Sequence, residues 1–142
     1  MKTLFKIIIG ILIVFLIGIV LYFGMIAYTF GSDMCGNTIV ETKISPNYSH
    51  KIILFERNCG ATTDFSTQIS ILKKEEDLED ESGNIFSADS DQGKAILTEN
   101  GIINIKIEWL TDKKVLVEYD KSARIFEIEK SIDGIEIEYK KL

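Results

Sequence analysis

Two hydrophobic patterns divide the chain. From Ile7 to Phe30 run 24 consecutive uncharged residues, nearly all Ile, Leu, Val, Phe, Gly, Met or Ala, whereas beyond residue 31 apolar and polar positions alternate in short stretches. At ~1.5 Å of rise per residue the first pattern reaches about 36 Å, enough for a helix to cross a hydrocarbon core of roughly 30 Å. The second has period two and predicts strands. They fall at 38–45, 51–57, 65–73, 102–109, 114–119, 124–130 and 135–140, with a short eighth at 85–86, all rich in Ile, Val, Thr and aromatics and separated by turn residues. The expected fold is therefore all-β, an antiparallel β-sandwich or partly closed barrel of 7–8 strands over residues 31–142. Residues 1–30 form a stub and one transmembrane helix before it.

Side-chain alternation also predicts register. Around an Asp133-Gly134 turn, Ile132 faces Ile135, Ile128 faces Tyr139 and Glu127 faces Lys140, which gives one apolar and one charged face. In the preceding pair, Trp109 faces Val115, Ile107 faces Val117, Ile105 faces Tyr119 and Lys106 faces Glu118, with a three-residue Thr111-Asp112-Lys113 loop. A two-residue loop would set Ile107 against Glu118, so the hydrophobic pattern rejects it. Trp109, Tyr119, Phe126 and Tyr139 are all expected to point inward.

A third hairpin, turning at Pro46-Asn47-Tyr48, holds the only cysteines. Cys35 and Cys59 are each 12 residues from Asn47, so a regular antiparallel pairing brings them opposite one another and predicts a disulfide. Such a bond persists in an oxidising compartment outside the cytoplasm. Closing a loop of this size contributes on the order of 3 kcal/mol.

Charge supplies direction and excludes partners. Lys2 and Lys6 precede the apolar run and Asp33 is the first charge after it, so the positive-inside bias keeps the N-terminus cytoplasmic and the C-terminal domain extracytoplasmic. The run exceeds the 7 to 15 residues or so of a secretory signal core, and the small-residue positions Thr29 and Gly31 make a mediocre cleavage site. Ser32, Asp33 and Met34 before Cys35 argue against lipidation. Removing Lys2 and Lys6 from 16 basic residues leaves 14 against 22 acidic ones, a net charge of −8 on residues 31–142. Nucleic acid is therefore a poor partner. The membrane, through residues 7–30, and a protein partner remain.

The acid is concentrated. Glu75, Glu76, Asp77, Glu79, Asp80 and Glu81 lie in a polar stretch that predicts a solvated loop or short surface helix, with Leu78 alone to pin it. It is the candidate partner-facing surface. It lacks the glycine-centred spacing of an EF-hand, since Gly83 falls seventh after Asp77. Asp89-Ser90-Asp91-Gln92-Gly93 has alternating carboxylates and reads as another acidic loop. One histidine and two paired cysteines leave no zinc set, and no metal or cofactor is expected. Asn47-Tyr48-Ser49 fits a glycosylation sequon, which is common by chance.

The segment from Ser45-Pro46 through Phe55-Glu56-Arg57 and Cys59-Gly60-Ala61-Thr62-Thr63 to the strand Thr67-Gln68-Ile69-Ser70-Ile71 resembles an uncharacterised family of small bacterial envelope proteins. Gly83-Asn84-Ile85-Phe86, Trp109 and the Val-Glu-Tyr strand resemble it too. The resemblance implies a bacterial envelope location, with secreted, lipid-anchored or single-span members, and implies no activity.

Cys59 beside Gly60, with Thr62, Thr63 and the sole histidine His50, could be imagined as a nucleophilic site. The disulfide consumes that thiol, and His50 lies some 30 Å away along the hairpin at ~3.3 Å per residue. The expected function is a membrane-anchored extracytoplasmic binding or scaffold module without enzymatic activity. The alternatives are an immunity-type protein that neutralises a basic envelope-targeted toxin, and an envelope enzyme using Cys59.

Overall fold

The computed structural model describes residues 2–31, 35–60 and 65–142, with backbone alone at 2 and 27–31. These form two compact units, Met1–Met34 and Cys35–Leu142. In the first, α1 spans Lys2–Gly31. Its stretch Thr3–Ile26 has a mean hydropathy of 3.1 and is long and apolar enough to cross a membrane. None of its most apolar window is buried inside the protein, the reverse of a soluble core helix.

The second unit is an all-β sandwich. A four-stranded sheet runs in the order β5 (Ile105–Thr111), β6 (Lys114–Tyr119), β9 (Ile135–Lys141), β8 (Ser131–Ile132). A five-stranded sheet runs β1 (Gly36–Ile44), β2 (His50–Asn58), β3 (Ser66–Lys73), β4 (Phe86–Asp89), β7 (Arg124–Ile128). Ile52, Leu54, Ile69, Ile71 and Phe86 from the larger sheet and Ile107, Val115, Val117, Ile135 and Ile137 from the smaller one form a single buried cluster. Side chains of alternate residues meet there because successive strand positions point to opposite faces.

In the smaller sheet the β5–β6 register follows the side-chain pattern, from Ile105 opposite Tyr119 to Trp109 opposite Val115. The loop differs from expectation. Thr111 pairs with Lys114, so the loop is the two residues Asp112-Lys113, and a bulge at Leu110 absorbs the one-residue offset. The Asp133-Gly134 turn has φ of 49° and 75°, the positive pair that a tight hairpin needs. It sets Ile132 opposite Ile135 and Ser131 opposite Glu136, and one further bond, from Ile137 N–H to Lys130 C=O at 2.9 Å, extends the hairpin.

On its other edge β9 lies parallel to β6 from Glu136 onward, with Val117 opposite Tyr139 and Glu118 opposite Lys140, and the expected partners Ile128–Tyr139 and Glu127–Lys140 do not pair. Instead β7 joins the other sheet, where Ile128 faces Phe86 and Glu127 faces Ser87. The cause is β4. All four of its residues are buried, and unpaired backbone on its second edge would be costly, so β7 covers it. β9 then fills the open edge of β6, where Lys114 meets Glu138 at 3.0 Å and Lys140 meets Glu118 at 2.6 Å. Tyr139 hydroxyl ties the two sheets together, reaching the carbonyls of Ile85 at 2.7 Å and Glu129 at 2.8 Å.

In the larger sheet, Ser45 N–H bonds to His50 C=O at 2.9 Å and closes a four-residue loop, one longer than expected. A bulge at Val40 shifts the β1–β2 register back by one, so Gly36 faces Asn58. Cys35 and Cys59 follow directly and are joined, with an S–S distance of 2.03 Å. Phe126 corrects another expectation. A bulge in β7 between Ile125 and Glu127 turns it outward, 59% exposed, with the Arg124 guanidinium 5.1 Å from its ring centroid.

Candidate functional site

The outer face of the five-stranded sheet, the one turned away from the core, carries the features of a site. Pairing lines up Asn37, Arg57, Ser66, Asp89 and Arg124 in one row across all five strands, with Ile39, Phe55, Gln68, Ser87 and Glu127 in the next. Such a face would ordinarily meet water. Here Ile53 and Phe55 are 2% and 0% exposed although they are outside the cluster between the sheets. Gln68 and Ser70 beside them are buried as well.

The cover is the acidic segment. Between β3 and β4, residues 74–84 cross this face as a loop. At the β3 side, Gln68 Oε1 accepts from Gly83 N–H at 2.6 Å, Ser70 Oγ accepts from Asn84 N–H at 3.2 Å, and Asn84 exchanges two bonds with the backbone of Ile71. On the far side, Asn37 Nδ2 donates to the carbonyls of Glu79 and Glu81, each at 2.9 Å, and Arg57 Nη1 donates to Glu81 C=O at 3.1 Å. Leu78 is only half-buried, so hydrogen bonds to β1, β2 and β3 pin the segment more than apolar contact does.

This arrangement turns the backbone inward and the charge outward. Glu75, Glu76, Asp77, Glu79, Asp80 and Glu81 are all exposed. Lys51 Nζ lies 4.0 Å from Asp77, and Lys73 Nζ lies 3.8 Å from Glu76. A hollow of about 560 Å³ opens beneath the loop, bordered by Leu72, Glu76, Asp77, Glu81 and Asn84. Gly83 is the tight point. A Cβ there would lie 2.7 Å from Ile69 O and 2.8 Å from Phe86 O, so only glycine lets the loop settle on the strands.

The other residues singled out from sequence are spread apart. Cys59 is bonded to Cys35, and no free cysteine remains among the described residues. Gly60, with φ of 98°, turns the chain out of β2, its N–H held by Asn58 Oδ1 at 2.9 Å. Thr62 and Thr63, like Ser32, Asp33 and Met34, lie outside the described residues. His50 begins β2 at the opposite end of the hairpin, where Ser49 Oγ is 2.8 Å from its Nδ1. In the 89–93 turn the carboxylates are taken by the chain's own cations. Buried Asp89 forms an ion pair with Arg124, and Lys94, hydrogen-bonded to Asp91 at 2.6 Å, holds that carboxyl below its ordinary range. Among the described residues no group of three or more His, Cys, Asp or Glu is placed to hold a metal ion.

Compared with known proteins, the chain matches no protein family, no curated protein and no solved structure. What the site can do follows from its own geometry. That geometry offers charge, a rigidly attached backbone and a shallow hollow, which suit the capture of a macromolecular surface more than the enclosure of a small molecule. Sequence reasoning found the six carboxylates and missed Asn37, Arg57 and Gln68. The only signal for those three was their polarity within otherwise apolar strands.

Proposed function

We propose that this is a single-pass membrane protein of the bacterial envelope, N-terminus inside, whose β-sandwich stands outside the membrane as a binding or scaffold module. The observation that carries the reading is the apolar helix Thr3–Ile26 followed by a sandwich with a disulfide where its first strand begins. Basic residues precede the helix, the bond suits an oxidising compartment, and the Cys-Gly-Ala-Thr-Thr resemblance points to the same location. With Cys59 bonded to Cys35, a binding role is favoured over a cysteine nucleophile.

The acidic outer face supports a protein partner with basic character, which includes an immunity-type role against a basic toxin. Topology is tested in spheroplasts, where added protease should remove residues 31–142. Full protection, or release of a soluble form starting near Ser32, overturns the anchor. The binding role is tested by photo-crosslinking in intact cells from Glu79 and, as a control on the smaller sheet, from Glu138. A discrete adduct from Glu79 alone supports the module; none from either position overturns it.

A further inference from the structure

β1 pairs with β2 on one side only, so its other edge is an open edge of the sheet. Open edges template pairing with other chains unless they are blunted. Here the edge is capped at one end and bent by the bulge at Val40, and is otherwise open. At one end Asp80 Oδ1 accepts from Asn37 N–H at 3.1 Å. Near the other end Trp109 Nε1 donates to Lys43 C=O at 3.0 Å and Lys43 Nζ reaches Ile107 C=O at 2.7 Å, bonds that tie β1 to the smaller sheet without covering its edge, because the Lys43 carbonyl turns toward β2. The bond from Ser45 N–H to His50 C=O sets the alternation, so Ile44, Thr42 and, past the Val40 bulge, Ile39 direct their backbone groups out of the sheet. Among the described residues nothing covers them.

A hollow of about 600 Å³ adjoins this stretch, lined by Ile39, Phe65, Leu97, Glu56 and Glu99. Ile39 is 55% exposed and Ile96, next to Leu97, is 77% exposed. Single exposed apolar side chains are ordinary, but several grouped at an unblocked strand edge mark an interaction surface. Charge then selects the occupant. A second copy of the same edge would bring Glu56, Glu99 and Asp80 against their own counterparts, whereas a cationic segment is drawn to them.

We propose that the open edge of β1 takes an extended basic polypeptide segment as an added strand. Main-chain hydrogen bonds to Ile39 and Thr42 hold it, alternate apolar side chains enter the Ile39–Phe65–Leu97 hollow, and Lys or Arg side chains face Glu56 and Glu99. The inference rests on the binding-module reading and names its partner class.

The test titrates isotope-labelled full-length protein in detergent micelles with an alternating Lys-Val-Arg-Ile-Lys-Val peptide, and with the same peptide carrying Glu at each basic position. Amide shifts should centre on residues 38–44 and 96–101. The acidic peptide should bind at least about tenfold more weakly, and N-methylation of alternate peptide amides should weaken binding about tenfold in one phase and leave it unchanged in the other. Equal binding of both peptides, insensitivity to methylation in either phase, or shifts on residues 75–81 instead overturn the inference. Concentration-dependent shifts of the same residues without peptide also overturn it, in favour of a second copy. None of these results bears on crosslinking from Glu79, so the two readings fail separately.

Discussion

The two sheets solve the same burial problem differently. In the smaller one, Ile105, Ile107, Val115, Val117, Ile135 and Ile137 are buried while Lys106, Glu108, Glu136 and Glu138 stand in water, one wet face and one dry. In the larger one, Ile52, Ile53, Leu54 and Phe55 are buried in succession, because a third layer of chain lies across the outer face. The difference teaches that an acid-rich loop can act as a lid over apolar strand positions when most of its contacts are made by its backbone and most of its carboxylates are left in water.

The sharpest way to break this contrast is truncation on the two outer faces. Phe55→Ala should cost roughly 3–5 kcal/mol, as at a packed core position. Leu116→Ala, at a half-buried position facing outward on the smaller sheet, should cost less than about 1 kcal/mol. Urea unfolding in micelles compares them, and equal costs would mean that the loop is not a packed layer. Next in size is the disulfide. Cys35→Ser and Cys59→Ser should each lose about 2–5 kcal/mol, and to similar extents. Non-reducing peptide mapping should show one linked pair, and uptake of two thiol-reagent equivalents by intact protein would rule it out.

Gly83→Ala addresses the attachment itself. Forcing a Cβ against Ile69 O and Phe86 O should destabilise by roughly 1–3 kcal/mol and speed hydrogen exchange at Asn84 and Ile71, which bond across the loop edge. Exchange faster in β5–β6 than at the loop edge would contradict a local role.

The smallest effect joins the sheets. Burial raises the Tyr139 hydroxyl well above its ordinary value near 10. The neutral phenol is thus favoured in the folded state. Its contribution is complete below about pH 10 and is lost as pH rises beyond that. Tyr139→Phe should cost about 1 kcal/mol at neutral pH and lose stability less steeply than the parent above pH 10. Parallel pH curves for the two would refute the assignment.

Legibility followed the same division. β5, β6 and β9 alternate strictly, so their strands and the β5–β6 register could be read directly. β4 could be read only at its start, as the short strand expected at 85–86, because Ser87, Ala88 and Asp89 carry little strand preference and are held extended by pairing with β3 and β7. The partner of β9 was hidden too, since its alternation suits a parallel or an antiparallel neighbour equally. The Cys35–Cys59 pairing was reached through two offsets that cancel, a loop one residue longer than expected and the bulge at Val40. For the candidate site, composition reveals the carboxylates but not their footing, because Asn37, Arg57 and Gln68 are distant in sequence from the loop they hold.

The disulfide has a mechanical side. If the chain is tethered through α1 and something grips the sandwich, tension enters the second unit at Cys35. Without a crosslink it would peel β1 from β2 one residue pair at a time, the weakest way to load an edge strand. With Cys35 bonded to Cys59, the pull passes at once to β2, which is flanked by β1 and β3 along its length. The load is then shared from the outset between the β1–β2 and β2–β3 interfaces.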